Sequence, residues 1–211
     1  MNRHFHQLVT IGACASVLLA ACAGASPAPS GAVVPIEGAV LESPVGPNPA
    51  DVHFMSGMIP HHAQAVLIAG WAATHGAGDA IRRLCERIVV GQQDEIALMQ
   101  NWLQSQNQPV PDATATHMRM NMNGAVHDML MPGMLNAEEL AQLDRARGTE
   151  FDRLFLRAMI RHHEGAITMV DQLFASQGAG QDEVVFRFAS DVYADQTTEI
   201  DRMQKMLAAI P

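Results

Sequence analysis

Aromatic residues are scarce, at 5% of the 211 positions. A core without them must draw on Leu, Ile, Val, Ala and Met, which suits packed helices better than a β-sandwich. Basic residues are also few: 13 Lys and Arg stand against 22 Asp and Glu, a formal net charge of −9. That balance argues against nucleic acid as a partner, since phosphate recognition needs a basic face. Three cysteines cannot build a disulfide framework. No Glu-x-x-His occurs, and no motif sets a serine beside a histidine base, so neither a di-metal carboxylate set nor a nucleophile elbow is legible. The longest apolar run, Leu8 to Ala21, has 14 residues and is too short to span a bilayer as a helix.

That run has another use. With Arg3 before it, residues 1–21 read as a secretory signal. It ends in Leu19-Ala20-Ala21-Cys22, which resembles a bacterial lipobox, so Cys22 becomes the lipidated first residue of the mature chain. Ordinary cleavage nearby, with Cys22 incidental, is the other reading. Residues 22–50 are rich in Ala, Gly, Pro and Ser and read as a flexible tether. The expected compartment is the periplasm or cell envelope, with the chain anchored to a membrane through Cys22. Cys85 lies on an apolar seam, where a buried, inert thiol is the default.

The remainder, residues 51–211, holds an internal duplication. Residues 51–69 align without gaps on 152–170, with seven of 19 positions identical, and 92–103 align on 196–207, with six of 12 identical. Phe54, Met58, His61, Ala65 and Ile68 recur at helical spacing, as do Phe155, Met159, His162, Ala166 and Met169. The second segments carry seams through Ile88, Gln92, Glu95 and Met99 and through Val192, Gln196, Glu199 and Met203. Asn48-Pro49 marks one helix start, Asp79 can cap the second helix, and Asn136 with Glu139 has capping-box spacing before the third. Gly76 and Gly78, then Gly178 and Gly180, break each pair of helices. The expectation is an all-α fold: a four-helix bundle of two duplicated hairpins joined by a crossover at 107–136. Pro60 is expected to kink the first helix.

Polar residues in these seams carry the chemistry. His61 and His162 occupy core positions, followed at once by His62 and His163. Met58 and Met159 stand one turn before the second histidine of each pair. Gln92, Glu95, Gln196 and Glu199 form a polar layer, in which each glutamate can accept an imidazole N–H and leave the other ring nitrogen for a metal, or can bind the metal directly. A hydrogen-bonded network that only fixes helix register is the competing reading.

The crossover holds His117, Met118, Met120, Met122, His127, Met129, Met131 and Met134. Its Met-x-Met-x-Met run has a period of two and cannot form one helix face. Thioethers are soft ligands that favour Cu(I), and imidazole binds copper in either state. The bland alternative is a greasy flap over one end of the bundle.

FMSGMIPHHAQAV, FDRLFLRAMIRHHEGAI, the paired Q-x-x-E-I-x-x-M-Q segments and the MPGM of the crossover resemble the bacterial ferritin-like "domain of unknown function 305" family. The resemblance covers about residues 51–211. It implies a four-helix, ferritin-like bundle in the cell envelope and, for copper-binding members, ligation by Met and His. Carried over position by position, Met58, His61, His62, Met159, His162 and His163 become expected ligands, and the crossover methionines follow less directly. The expected function is binding of copper, as Cu(I), for sequestration, tolerance or delivery, with no enzymatic activity. The expected partners are the copper ion, the membrane and another copper-handling envelope protein. A di-iron or di-manganese oxidoreductase and a metal-free structural lipoprotein are the rivals.

Overall fold

The computed structural model describes residues 46–122 and 125–211, with backbone alone at 119–122 and 125–127. The signal, Cys22 and nearly all of the tether lie outside the described residues. Four long helices dominate: α1 (Pro49–Gly70), α2 (Asp79–Ser105), α4 (Gly148–Ala175) and α5 (Glu183–Ala208). A short helix, α3 (Ala137–Arg145), precedes α4, and two strands, β1 (Met118–Met122) and β2 (Ala125–Met129), lie in the crossover. α1 packs on α2, α4 on α5, and the two hairpins meet through α1 and α4.

The ends of the helices follow local chemistry. The Asn48 side chain accepts the Ala50 N–H, and Pro49 begins α1 where its missing N–H costs nothing. The α1 helix continues through Pro60 to Gly70 as one element. Asp182 caps α5 by accepting from Val184 and Val185. Gly178 and Gly180, at φ of 72° and 66°, supply the left-handed turn between α4 and α5.

Two expectations are corrected. Asp79 does not cap α2; Gly78 does, in extended conformation, and its N–H donates to the Asp152 carboxylate. The Asn136–Glu139 capping box is real but opens the separate helix α3, which ends at Ala146 before α4 begins. The crossover run that cannot form one helix face is a strand: β1 and β2 pair antiparallel, with Met118 opposite Met129 and Met120 opposite His127.

The core has two halves. One gathers Phe54, Met55, Met58 and Met99 with Val185, Phe188 and Val192, and receives Met131 and Met134 from the crossover. The other gathers Ile68, Leu84, Ile88, Phe151, Phe155, Leu156 and Met159. His61, His62, His162 and His163, each fully buried, occupy the central pair of helices, α1 and α4.

Candidate metal centre

Each His-His dipeptide sits at mid-helix, on α1 and on α4, so the packing of α1 on α4 brings the two pairs together. The His61 and His162 rings lie with centroids 3.8 Å apart and planes at 37°. Protonated rings could not be held so close without counter-charge. Burial pushes His61 down to about 3, with the neighbouring His62 adding to the effect. Burial likewise holds His162 well below the ordinary imidazole range, with His61 as the next cause. Both rings are therefore neutral at physiological pH, the form that binds metals.

Hydrogen bonds decide which nitrogens are free. His62 Nε2 lies 2.7 Å from Glu95 Oε2, and His163 Nε2 lies 2.6 Å from Glu199 Oε2. The seam glutamates thus stand against the imidazoles as their spacing suggested. His61 Nε2 lies 3.0 Å from the Pro132 carbonyl, which can only accept, so this nitrogen carries the hydrogen. With ionised glutamates the same holds for His62 and His163. Nε2 of these three rings is then a donor, and wherever such a ring is neutral its lone pair resides on Nδ1. Those three Nδ1 atoms, and both ring nitrogens of His162, are buried without a hydrogen-bond partner. Leaving such groups unpaired costs about 1–3 kcal/mol each, so a fold that retains five needs a reason. A cation accepting the lone pairs is such a reason. The residues present fit one: His61 and His162 are neutral, all four rings carry an orphaned Nδ1, and His61, His62 and His163 are oriented by partners of the kind that support metal-bound histidine.

Among the described residues no three His, Cys, Asp or Glu side chains form a group able to hold an ion by themselves. Any ion at the imidazoles must therefore draw on other donors. Met58 and Met159 supply buried thioethers on the same helices, one turn before His62 and His163.

The glutamates connect this centre to solvent. Their side chains are 26% and 29% exposed. They line a groove of about 340 Å³ between α2 and α5, together with Gln92 and Gln196. Both glutamines are buried, with Oε1 unpartnered. Asp195 also lines the groove; its carboxyl is raised by burial first and then by Glu95.

The crossover residues divide. Met131 and Met134 are 7% and 6% exposed and belong to the core, and the Met134 sulfur accepts the Met131 N–H at 3.2 Å. Met118 is half-buried and packs on the same core, whereas Met129 is exposed. His117 Nε2 is 3.4 Å from Asp128 Oδ1, away from the buried rings. Met120, Met122 and His127 are placed by backbone register only, and their side chains lie outside the described residues.

Sequence reasoning missed the seat of the crossover turn. Gln64, fully buried, donates to the Leu135 carbonyl at 2.9 Å and accepts the Leu135 N–H at 2.7 Å. Its counterpart in the duplication is Gly165, where a Cβ would fall 2.0 Å from the Pro132 oxygen. One copy grips the turn and the other leaves room for it, which brings the Pro132 carbonyl onto His61. The available signal was the mismatch itself, a Gln against a Gly inside otherwise similar segments. His75 was also missed; it bonds the Asp144 carbonyl and carboxylate and tethers the end of α3.

Comparison with known proteins decides the family. The chain matches the family described as "Domain of unknown function (DUF305)" over residues 51–207. It belongs to the DUF305 family. A DUF305 protein from Streptomyces coelicolor, described as secreted, shares 25% identity at a TM-score of 0.63, over 75% of this chain and 92% of that one. A DUF305 fragment from Deinococcus radiodurans shares 27% identity at a TM-score of 0.63, over 77% and 98%. CopM in its Cu(I)-bound form shares 27% identity at a TM-score of 0.56, over 74% and 94%. CopM has also been solved with Cu(II) and with Ag. No curated protein matches the chain.

Proposed function

We propose that this DUF305 protein binds copper, as Cu(I), in the cell envelope and holds it for sequestration, tolerance or delivery. The observation that carries the reading is the set of four fully buried histidines with unpartnered ring nitrogens beside buried Met58 and Met159. Neutral nitrogen with thioether sulfur is a donor set for a soft cation. Among the described residues no three His, Cys, Asp or Glu side chains group together, which disfavours iron or manganese, since these metals want more oxygen donors. Kinship with CopM, solved with Cu(I), Cu(II) and Ag, supports metal binding of this kind. The signal at 1–21 and the Cys22 lipobox support an envelope location with a lipid anchor. The role is binding rather than catalysis, the ion being cargo.

The chemistry is ligand exchange. Glu95 and Glu199 keep Nε2–H of His62 and His163 engaged, so Nδ1 is presented to the ion without rotation of the ring. The Pro132 carbonyl does the same for His61. Met129 and Met118 of the crossover hairpin, with His117, form the outer donors that capture the ion first.

An anaerobic Cu(I) competition titration against a chromophoric chelator tests this. The wild type is compared with a variant carrying His61, His62, His162 and His163 as Ala, and with one carrying the six crossover methionines as Leu. Tight binding by wild type that weakens in the histidine variant is expected. A wild type that withdraws no copper from the chelator would overturn the reading in favour of a metal-free bundle.

A further inference from the structure

Methionine is divided unevenly between the two halves of the core. The half beneath the crossover buries six methionines among 20 residues, and the other half buries two, Met159 and Met203, among 18. The duplication locates the excess. Met58 and Met99 have Met159 and Met203 as counterparts, so those pairs are shared. Met55 and Met169 have no such match: the counterpart of Met55 is Leu156 and that of Met169 is Ile68, both in the other half. The remaining two, Met131 and Met134, come from the crossover. Leu and Ile of similar volume fill these slots in one copy, and thioethers replace them only in the half that receives the crossover methionines.

The methionines also form a graded series from solvent inward. Met129 is 38% exposed and lies opposite half-buried Met118 across the hairpin. Met131 and Met134 follow in the turn, almost buried. Met131 and Met169 both bring their methyl groups against Gly57, where an added Cβ would meet them at 2.8 and 3.5 Å. Fully buried Met55 and Met58 flank that glycine, and His61 is one turn further along α1.

We infer that the crossover-side half of the core is a thioether conduit for a desolvated soft monovalent cation. The route runs from Met129 and Met118 through Met131 and Met134 to Met55 and Met169, and so to the buried imidazoles. This rests on the copper reading above and adds the path to it. At each stage one thioether replaces another on the ion, which keeps its charge and oxidation state and does not regain water. Leu and Ile in the same slots offer no donor and interrupt the series.

The test is stopped-flow transfer of Cu(I) from a chromophoric chelator to the full chain under anaerobic conditions, with the equilibrium end point read in the same experiment. The variants are Met55→Leu and Met169→Ile, the side chains used by the other copy, made singly and together and each checked for an unchanged thermal transition. Transfer is expected to slow by about tenfold or more while the end-point affinity stays within about threefold, the signature of a donor lost from the path rather than from the site. Leu156→Met with Ile68→Met serves as the control and leaves the rate unaltered. Unchanged transfer in the methionine variants would overturn the conduit, as would an equal loss of rate and affinity. Slowing by Glu95→Gln with Glu199→Gln, but by no methionine variant, would place the route in the α2–α5 groove and equally overturn it. A wild type that takes up no Cu(I) would instead remove the copper reading itself, so the two failures are distinct.

Discussion

Replacing Gly165 by alanine isolates the contact that seats the crossover on the buried rings. In most helices Gly→Ala stabilises by about 1 kcal/mol through backbone entropy and propensity. Here the new Cβ would lie 2.0 Å from the Pro132 oxygen, 2.4 Å from its carbonyl carbon and 2.8 Å from the Gly133 Cα. All three are backbone atoms of a turn whose own Gly133 sits at φ 78° with no space beside the Arg161 carbonyl, so no side-chain rotation relieves the overlap. The turn must lift. Lifting loses the His61–Pro132 bond and the two Gln64–Leu135 bonds, and re-exposes part of Met131 and Met134. Three hydrogen bonds at about 1 kcal/mol each, with partial loss of two buried thioether side chains, amount to about 3–5 kcal/mol. After the propensity gain, a net loss of about 2–4 kcal/mol is expected. Urea unfolding with a common m-value measures it. Gly91→Ala is the control: nothing lies within 4 Å of its added Cβ, and it is expected to stabilise by about 0.5–1 kcal/mol. If Gly165→Ala were as stable as Gly91→Ala, the docked turn would be wrong.

Three further outcomes follow from the same geometry. Glu95→Gln with Glu199→Gln weakens the hold on the Nε2–H tautomers of His62 and His163 and should lower Cu(I) affinity by about 10–100-fold, read by chelator competition; unchanged affinity would show that the glutamates do not orient the rings. His61 titrates near 6.5 when unfolded and at about 3 when folded, so the unfolded chain takes up a proton that the native ring refuses. Stability present at neutral pH is therefore lost as pH falls from 6.5 to about 3, by up to roughly 5 kcal/mol from His61, and urea midpoints that did not fall over this window would contradict the buried neutral ring. Gln64→Leu strands the Leu135 N–H and C=O and should cost about 2–4 kcal/mol in the same unfolding assay, against near neutrality if the turn is loosely attached.

Much of the fold was legible because two periodicities repeat. The seams through Phe54, Met58 and His61 and through Phe155, Met159 and His162 each fix one buried face, and repetition at equivalent positions tells a seam from chance. The seam glutamates met the histidines because a carboxylate on a helix seam faces the neighbouring helix, where the imidazole Nε2 of His62 or His163 stands to donate to it. Helix α3 was hidden because its capping box is identical to one that opens a long helix; only the extended Ala146 that ends it separates the two cases. The hairpin was only half legible: the period of two at Met118, Met120 and Met122 excluded a helix face and was a strand signal, but Met, Arg and Asn are weak strand formers and left it unread. Pro132 and Gln64 could not be foreseen in their roles, since a backbone carbonyl and a lone buried amide act through tertiary placement that no local pattern encodes.

We propose that the buried imidazoles ligate a soft cation through Nδ1. Two-bond proton–nitrogen correlation spectra of the histidine rings, recorded without metal and with Cu(I) or Ag(I), test it most directly. Nε2–H signals for His61, His62 and His163 in the apo protein and a metal-induced shift of Nδ1 in the buried rings are expected. Nδ1 resonances that do not move when the ion is added, or a shift confined to Nε2, would contradict it.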